Sequence, residues 1–562
     1  MKKSNRVCRR SSIRRKVVTL AVASCFATDL AYANPNGAAV ISGQVSFTNN
    51  GNLLQITNSP GSIINWQGFS IGASEITRFL QQSASSAVLN RVVGGNPSVI
   101  LGTLQSNGQV LLINPNGIVF GAGSTIDTAG LVASTLKLSN GDFLAGRMKF
   151  TDGAGAGSVV NQGNITTGNG GFVYLVAPNI QNSGAITSQG GEIILAAGKS
   201  VDIVNPNSPD LHVTITAPDN QAVNVGQIIA SKIGIYGGLI RQAGVVNANS
   251  AVIGANGKIV FKATKDITLA AGSTTSASGQ TGGAISIKSE TGSVTIAGAV
   301  EANGAQGSGG TISVKGPQAV TVESTGQITA NGVQGGSVTL TSAGGAVTVG
   351  GTVAANATAG VAGNVAINAA TAAVLASTAQ LSASGGQGGG SVAVQGGNSV
   401  TLAPGSSVNA NGSTGGTVTV QSDQGTVLVQ GTIDASSAVG IGGTVTVNAL
   451  SDITLDDSSQ ILVGGSSGGV AKIQSTNGTL LASGLIDGQG NQGPGGLVWL
   501  LAPRVGLVRQ SVVNVSGLTG GGTVLVGGDF HGSNPNIQDA IDTYVGPGAR
   551  QGSCRLGHAA NG

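Results

Sequence analysis

A doublet of small residues followed by alternating β-branched residues recurs through the second half of the chain. It begins at Gly282, Gly309, Gly335, Ala362, Gly389, Gly415, Gly442, Gly468, Gly495 and Gly521, always in steps of 26 or 27 residues. A fixed period of this size means that each unit buries its apolar face against its neighbours. The unit opening at Gly415 contains three alternating runs, TVTV, TVLV and TID, separated by short polar or glycine turns. Alternation at period two describes strands with one buried and one solvated face. Three such strands per turn predict an all-β fold, a right-handed parallel β-helix (a solenoid). With strands ~4.8 Å apart, ten turns make a rod of roughly 45 Å.

The same geometry accounts for the composition. Glycines at the corners are expected to supply positive φ and to let successive turns approach closely. Asn and Asp there are expected to bridge to neighbouring backbone or to stack in ladders. No Lys or Arg occurs between Lys315 and Lys472, because like charges in one column of an in-register stack would repel. Hydrophobic residues make up 40% of the chain and charged residues 9%, the reverse of a disordered composition. Collagen is excluded by the lack of a Gly-X-Y period. A propeller needs longer, aromatic-marked units, and a calcium-binding roll needs acidic nonapeptides.

Upstream the beat changes. Gly170-Gly171 leads to Gly190-Gly191, a step of 20, and the pattern before Val159 is irregular. That region holds the dense aromatic cluster Phe47, Trp66, Phe69 and Phe79. A solenoid needs a distinct terminal cap to protect its first open edge, and residues 34 to ~150 fit that role.

The formal net charge of +4 points to an anionic partner until the charges are located. Eight of the 26 basic residues, but only one of the 22 acidic residues, fall in the first 33 positions. The remaining 18 basic and 21 acidic residues carry a net −3, so no basic face for nucleic acid is expected. Met1–Lys16 reads as a basic n-region, Val17–Phe26 as an apolar stretch too short to span a bilayer, and Ala31-Tyr32-Ala33 as a cleavage site. The signal peptide is thus 1–33, cut between Ala33 and Asn34. Two rival readings are a lipoprotein box at Cys25 and a twin-Arg signal at Arg14-Arg15. Of three cysteines, only Cys554 lies outside the leader, so the mature chain forms no internal disulfide and stays threadable through a pore.

Four blocks then occur in order: IINWQGFSI at Ile63–Ile71, AVLNRVVGGNPSVIL at Ala87–Leu101, NGQVLLINPNGIVF at Asn107–Phe120, and STIDTAGLVASTLKL at Ser124–Leu138. Together they resemble the haemagglutination-activity (secretion) domain of filamentous-haemagglutinin-like TpsA exoproteins of two-partner secretion. Asn114, Pro115, Asn116, Gly117 and Ile118 match the family's NPNGI motif; taken alone they read as a tight turn between buried strands. The family's earlier NPNL motif has no counterpart, since the comparable stretch Asn49–Leu53 lacks proline. Asn34–Gly37 and Asn205–Ser208 share the tetrapeptide only superficially. The resemblance implies a signal peptide over 1–33, a secretion domain over 34–250, a shaft over 251–530 and an irregular, truncated tail over 531–562. It implies export by the Sec machinery, recognition by a cognate TpsB-type outer-membrane transporter, and adhesion at the cell surface to a glycan or protein receptor.

Chemistry-bearing residues are sparse. His212, His531 and His558 have no metal-ligand spacing, and Asp210 with His212 lacks a nucleophile. Asp456 and Asp457 are adjacent, and on a strand they would face opposite ways. The loop 153–157 has no following helix to cradle phosphate. No catalytic residue, metal or cofactor is expected. The rival readings are a β-helical polysaccharide-active enzyme, a self-transporting adhesin (for which the tail is too short to form a membrane barrel), and a truncated carrier of a contact-dependent toxin.

Overall fold

The computed structural model describes residues 34–151, 155–204, 212–216, 219–250, 256–552 and 555–557. The leader with Cys25 and Ala33, the 205–208 tetrapeptide, Asp210, Cys554 and His558 lie outside the described residues.

The unit opening at Gly415 forms the three expected strands, Thr417–Ser422, Thr426–Val429 and Thr432–Asp434. Each pairs in parallel with its equivalent one turn on, through Thr417↔Thr444, Val427↔Ile453 and Thr432↔Gln460. Three strand columns result, and the second runs unbroken from Ser98–Ile100 to Asp542–Val545. Val418, Val420, Val427, Val429 and Ile433 point inward and are at most 1% exposed. Stacking of such rows makes one continuous apolar core from Leu54 to Val524.

The shaft doublets between Gly282 and Gly522 meet the second of the two expectations and not the first. None has positive φ, which among the doublets occurs upstream at Gly170 and Gly190. A Cβ on Gly416 would instead meet the Gly390 carbonyl oxygen at 2.3 Å, so the close approach of successive corners excludes a side chain. The expected ladders are present. The Asn303 Oδ1 accepts the Asn331 N–H at 2.8 Å, the Asn331 Oδ1 accepts the Asn356 N–H at 2.7 Å, and the Asn356 Oδ1 accepts the Ser384 N–H at 2.8 Å.

Parallel stacking begins much earlier than the irregular sequence suggests. Leu53–Asn58 already lies in register on Ile76–Leu80. Equivalent positions then follow at Thr103, Thr125, Asn164, Ala185, Gln227 and Val245, in steps as short as 18 and as long as 42 residues. Variable turn length conceals the solenoid from a search for a fixed period. The cap proper is correspondingly small. Val45–Asn50 turns back antiparallel on Leu53–Asn58, and Ala39–Ser42 pairs antiparallel with Ser62–Trp66.

Two of the longer steps contain insertions that leave the stack. Their strands Lys137–Leu138, Met148–Thr151, Ser200–Val204 and His212–Thr216 form an antiparallel side sheet in that order. Leu138, Phe143, Phe150, Val201, Ile203 and Val213 pack against the outward residues Ile63, Leu89, Leu111, Val132, Tyr174 and Ile194, making a second core outside the solenoid. The stack strands beneath are therefore buried on both faces, and they read as continuous apolar runs such as FVYLVA.

The tail departs from its expected irregularity. Asp542–Val545 adds to the second column on Arg504–Leu507, while Arg550–Gln551 and Arg555–Gly557 extend the other two. The preceding loop lies back along the shaft, where the Gln538 amide donates to the Thr476 carbonyl and accepts from the Gln474 amide, both at 3.0 Å.

Candidate functional site: the NPNGI corner and its groove

The NPNGI residues form a corner between Gln109–Ile113 and Ile118–Phe120. Asn114 is fully buried. Its Oδ1 accepts the Asn116 backbone N–H at 3.0 Å, and the Gly117 N–H closes the turn on the Asn114 carbonyl at 3.2 Å. The Asn114 amide nitrogen reaches down one turn to the Asn96 carbonyl and the Ser98 hydroxyl, both at 3.0 Å. Upward, the Pro115 carbonyl accepts the Gly157 N–H at 2.7 Å, and Ile118 pairs with Val159. Gly117 has φ +127°, a conformation that disfavours any side chain. Asn116 is exposed, and its amide donates to the Gly94 carbonyl at 2.8 Å. The tight turn read from these residues alone is present, and it is clamped to the turns on either side.

Beside this corner lies an open groove of about 700 Å³, lined among others by Arg91, Val93, Pro115, Asn116, Lys137 and Asn140. Sequence reasoning passed over Arg91, although it is a lone cation in the apolar run AVLNRVV. Its guanidinium donates to the Leu138 carbonyl at 2.9 Å and the Asn140 Oδ1 at 2.8 Å. Burial lowers its pKa from the ordinary value. Next to it, Asn90 points into the solenoid and accepts the Trp66 indole N–H at 2.9 Å.

Asn34, expected as the first mature residue, is held on the first turns. Its Oδ1 accepts the Thr77 hydroxyl at 2.9 Å, and its amide donates to the Asn52 carbonyl at 3.2 Å.

Asp456 and Asp457 require a correction. They lie in a turn after Ile453–Leu455, not on a strand, and both face Arg509 two turns above. The guanidinium is 2.7 Å from Asp457 and 3.8 Å from Asp456. The Asp456 carboxyl is held below its ordinary pKa, first by the Gln430 amide, then by the Asp457 N–H, and also by Arg509. His531 is exposed and stands against the Phe530 ring. Among the described residues, no group of three or more His, Cys, Asp or Glu is placed to hold a metal ion.

Residues 31–287 match the TPS secretion domain family. The chain is 30% identical over 225 residues to the heme/hemopexin-binding protein of Haemophilus influenzae, covering 38% of this chain and 24% of that protein. It is 29% identical over 164 residues to the hemolysin of Proteus mirabilis, covering 27% of this chain and 10% of that one. The matched part thus spans a quarter or less of these relatives' lengths. The crystal structure of the HMW1 secretion domain from Haemophilus influenzae aligns over 76% of this chain and 98% of its own, at 27% identity and a TM-score of 0.47. The filamentous hemagglutinin secretion domain aligns over 59% and 100%, at 19% identity and a TM-score of 0.28. Residues 31–287 therefore belong to the TPS secretion domain family, and the chain is similar over this part to larger exoproteins.

Proposed function

We propose that this exoprotein is an adhesin whose NPNGI corner is read by its outer-membrane barrel transporter. In this reading residues 1–33 are a signal peptide engaged by the Sec machinery and cut between Ala33 and Asn34. Residues 34–250 are the domain recognised in the periplasm. Residues 251–530 are the shaft that meets a glycan or protein receptor outside the cell. The observation that carries the export role is the clamped corner, a rigid turn that nevertheless presents Asn116 to solvent. The adhesive role rests on the continuity of the core, which joins the secretion domain to a long, nearly chargeless rod. Binding of haem or haemopexin, or lysis of cells, belongs to relatives that this chain matches over a quarter of their length or less. A non-enzymatic role is favoured by the pairing of Asp456 and Asp457 with Arg509, which occupies the adjacent carboxylates with a structural cation.

Asn116→Ala tests the export role. It removes two side-chain hydrogen bonds, to the Gly94 carbonyl at 2.8 Å and to the Asn114 Oδ1 at 3.2 Å, a loss of about 1–2 kcal/mol, so periplasmic protein should persist while surface yield falls severalfold. Normal surface yield would remove the motif from recognition. Adhesion is tested by comparing attachment to epithelial cells of bacteria with and without the gene. Equal attachment would refute it, and release of reducing sugar from polysaccharide would favour the enzymatic alternative.

A further inference from the structure

Basic residues are kept out of the columns between Lys315 and Lys472, yet three of them stack in one column just below. On the outward face of the first strand column, Lys262 pairs in register with Lys288, and Lys288 with Lys315, on consecutive turns. Strands so paired stand ~4.8 Å apart, and like charges directly opposite one another destabilise a sheet. Glu290 offsets the lowest cation, 3.1 Å from the Lys262 ammonium. Lys288 and Lys315 are exposed, and among the described residues neither has a carboxylate within ion-pair distance. Residues 251–255, which precede the first of these strands, contain no acid. The ladder emerges where the side sheet ends. The next member of its row below is Tyr236, buried in the second core, and the members above are the neutral Thr341 and Asn368. Beside the lysines runs an outward row of smaller side chains, Val260, Ser286 and Ser313. A straight cationic edge thus follows the rod axis along an open floor. A local rule broken without compensation inside the chain is expected at a functional site.

We propose that this ladder binds a linear acidic polysaccharide, laid along the rod axis with its anionic groups on Lys288 and Lys315 and its sugar rings over Ser286 and Ser313. The proposal deepens the adhesin reading by naming the class of receptor, and it rests on that reading for its use outside the cell. A lysine ammonium is a compact charge on a flexible stem with three donors, which suits sulfate or carboxylate groups that vary in orientation along a polymer. Successive anions on one polymer add as linked contacts. Thr341 and Asn368 offer hydrogen-bond partners for sugar hydroxyls just above. Nucleic acid is less well served, because the floor has no aromatic or guanidinium plane on which bases stack. Contacts of this kind are steered by charge and weaken with salt.

The test uses the full secreted chain, with affinity for dextran sulfate, alginate and neutral dextran measured at low and high NaCl. An anionic polymer should bind in preference to neutral dextran and weaken with salt. Preference for dextran sulfate assigns sulfate as the recognised group, and preference for alginate assigns carboxylate. Lys288→Gln with Lys315→Gln should weaken that binding about tenfold at low salt, whereas Lys149→Gln on the side sheet should change nothing. Ser313→Lys with Lys315→Ser keeps the net charge but takes one cation out of the row, and it should weaken binding severalfold. Thermal unfolding of each variant confirms that the fold is kept. Equal binding of anionic and neutral polymers, or undiminished binding by the row variants, overturns the ladder and leaves the adhesin reading to its own attachment test. Duplex DNA of random sequence bound as tightly as either anionic polymer overturns the polysaccharide assignment. If bacteria attach equally well with and without the gene, the adhesin reading falls, and polymer binding by the purified chain decides the ladder by itself.

Discussion

The first strand column passes through two regions built on opposite principles. At Phe172–Ala177 every residue but Phe172 is fully shielded, because the solenoid lies beneath and the side sheet lies above. At Thr417–Ser422, two-thirds of the chain away from the cap, alternate residues face solvent and only Val418, Val420 and Ser422 are buried. The polar lining differs as well. In the N-terminal part a buried amide ladder runs up the second column: Asn161 donates to Asn182 at 2.8 Å, Asn182 to Asn224 at 2.8 Å, and Asn224 to Gln242 at 2.7 Å. Phe120 underlies the ladder and Leu269 overlies it. From Leu269 onward the same row continues as Ile296, Val322 and Val349. The N-terminal turns are individually specified, whereas the shaft turns are nearly interchangeable.

The largest expected effect breaks the two-faced region. Phe150→Ala, at a side chain 1% exposed, should cost about 3–5 kcal/mol and loosen the side sheet as a whole. Its counterpart Val420→Ala should cost about 1–3 kcal/mol and stay confined to neighbouring turns. Hydrogen exchange would distinguish the two, and equal spread of lost protection would contradict the contrast.

The ladder gives the next effect. Asn182→Leu leaves partners on both sides unsatisfied, so stability should fall by about 2–4 kcal/mol. Replacing Asn161, Asn182, Asn224 and Gln242 together with Leu should cost less than the sum of the single losses, since the side-chain partners leave together and only backbone groups such as the Gly163 N–H lose a bond. Denaturant titration checks this, and additive losses would show that the amides act separately.

The smallest effect is on the shaft. Asp456 has a depressed folded-state pKa, so its contribution is present above the ordinary aspartate value and is lost as pH falls through the folded value. Protection of the 456–459 turn should drop in that acidic window in the parent. Arg509→Ala should narrow the drop without abolishing it, because the Gln430 hydrogen bond remains. A pH series of exchange rates, unchanged between the two chains, would count against the ion pair.

The shaft was legible because its doublets and alternating Val and Ile rows repeat at constant spacing, and each row became a column. The NPNGI turn was legible for the same local reason, since Asn-Pro and Asn-Gly dictate turn geometry. The early turns were not, because insertions at 135–158 and 198–220 break the period and bring together strands remote in sequence. Arg91 escaped notice on the same account: its partners Leu138 and Asn140 arrive with an insertion. Asp456 and Asp457 differ from expectation because the strand stops at Leu455 and a short turn follows, which the local sequence does not distinguish from a continuing strand.

The corner spacing of the shaft also bears on how such a protein changes its reach. Apart from Arg509, which reaches Asp457 two turns away, and the Gln538 loop, a turn makes its contacts with the turns above and below it, and the doublets place every corner alike. Duplicating one 26- or 27-residue unit leaves each junction chemically unchanged and moves everything beyond it outward by about 4.8 Å. Length in this molecule is thus quantised, and it can be edited between Gly282 and Gly521 without altering the corner at Asn114–Ile118.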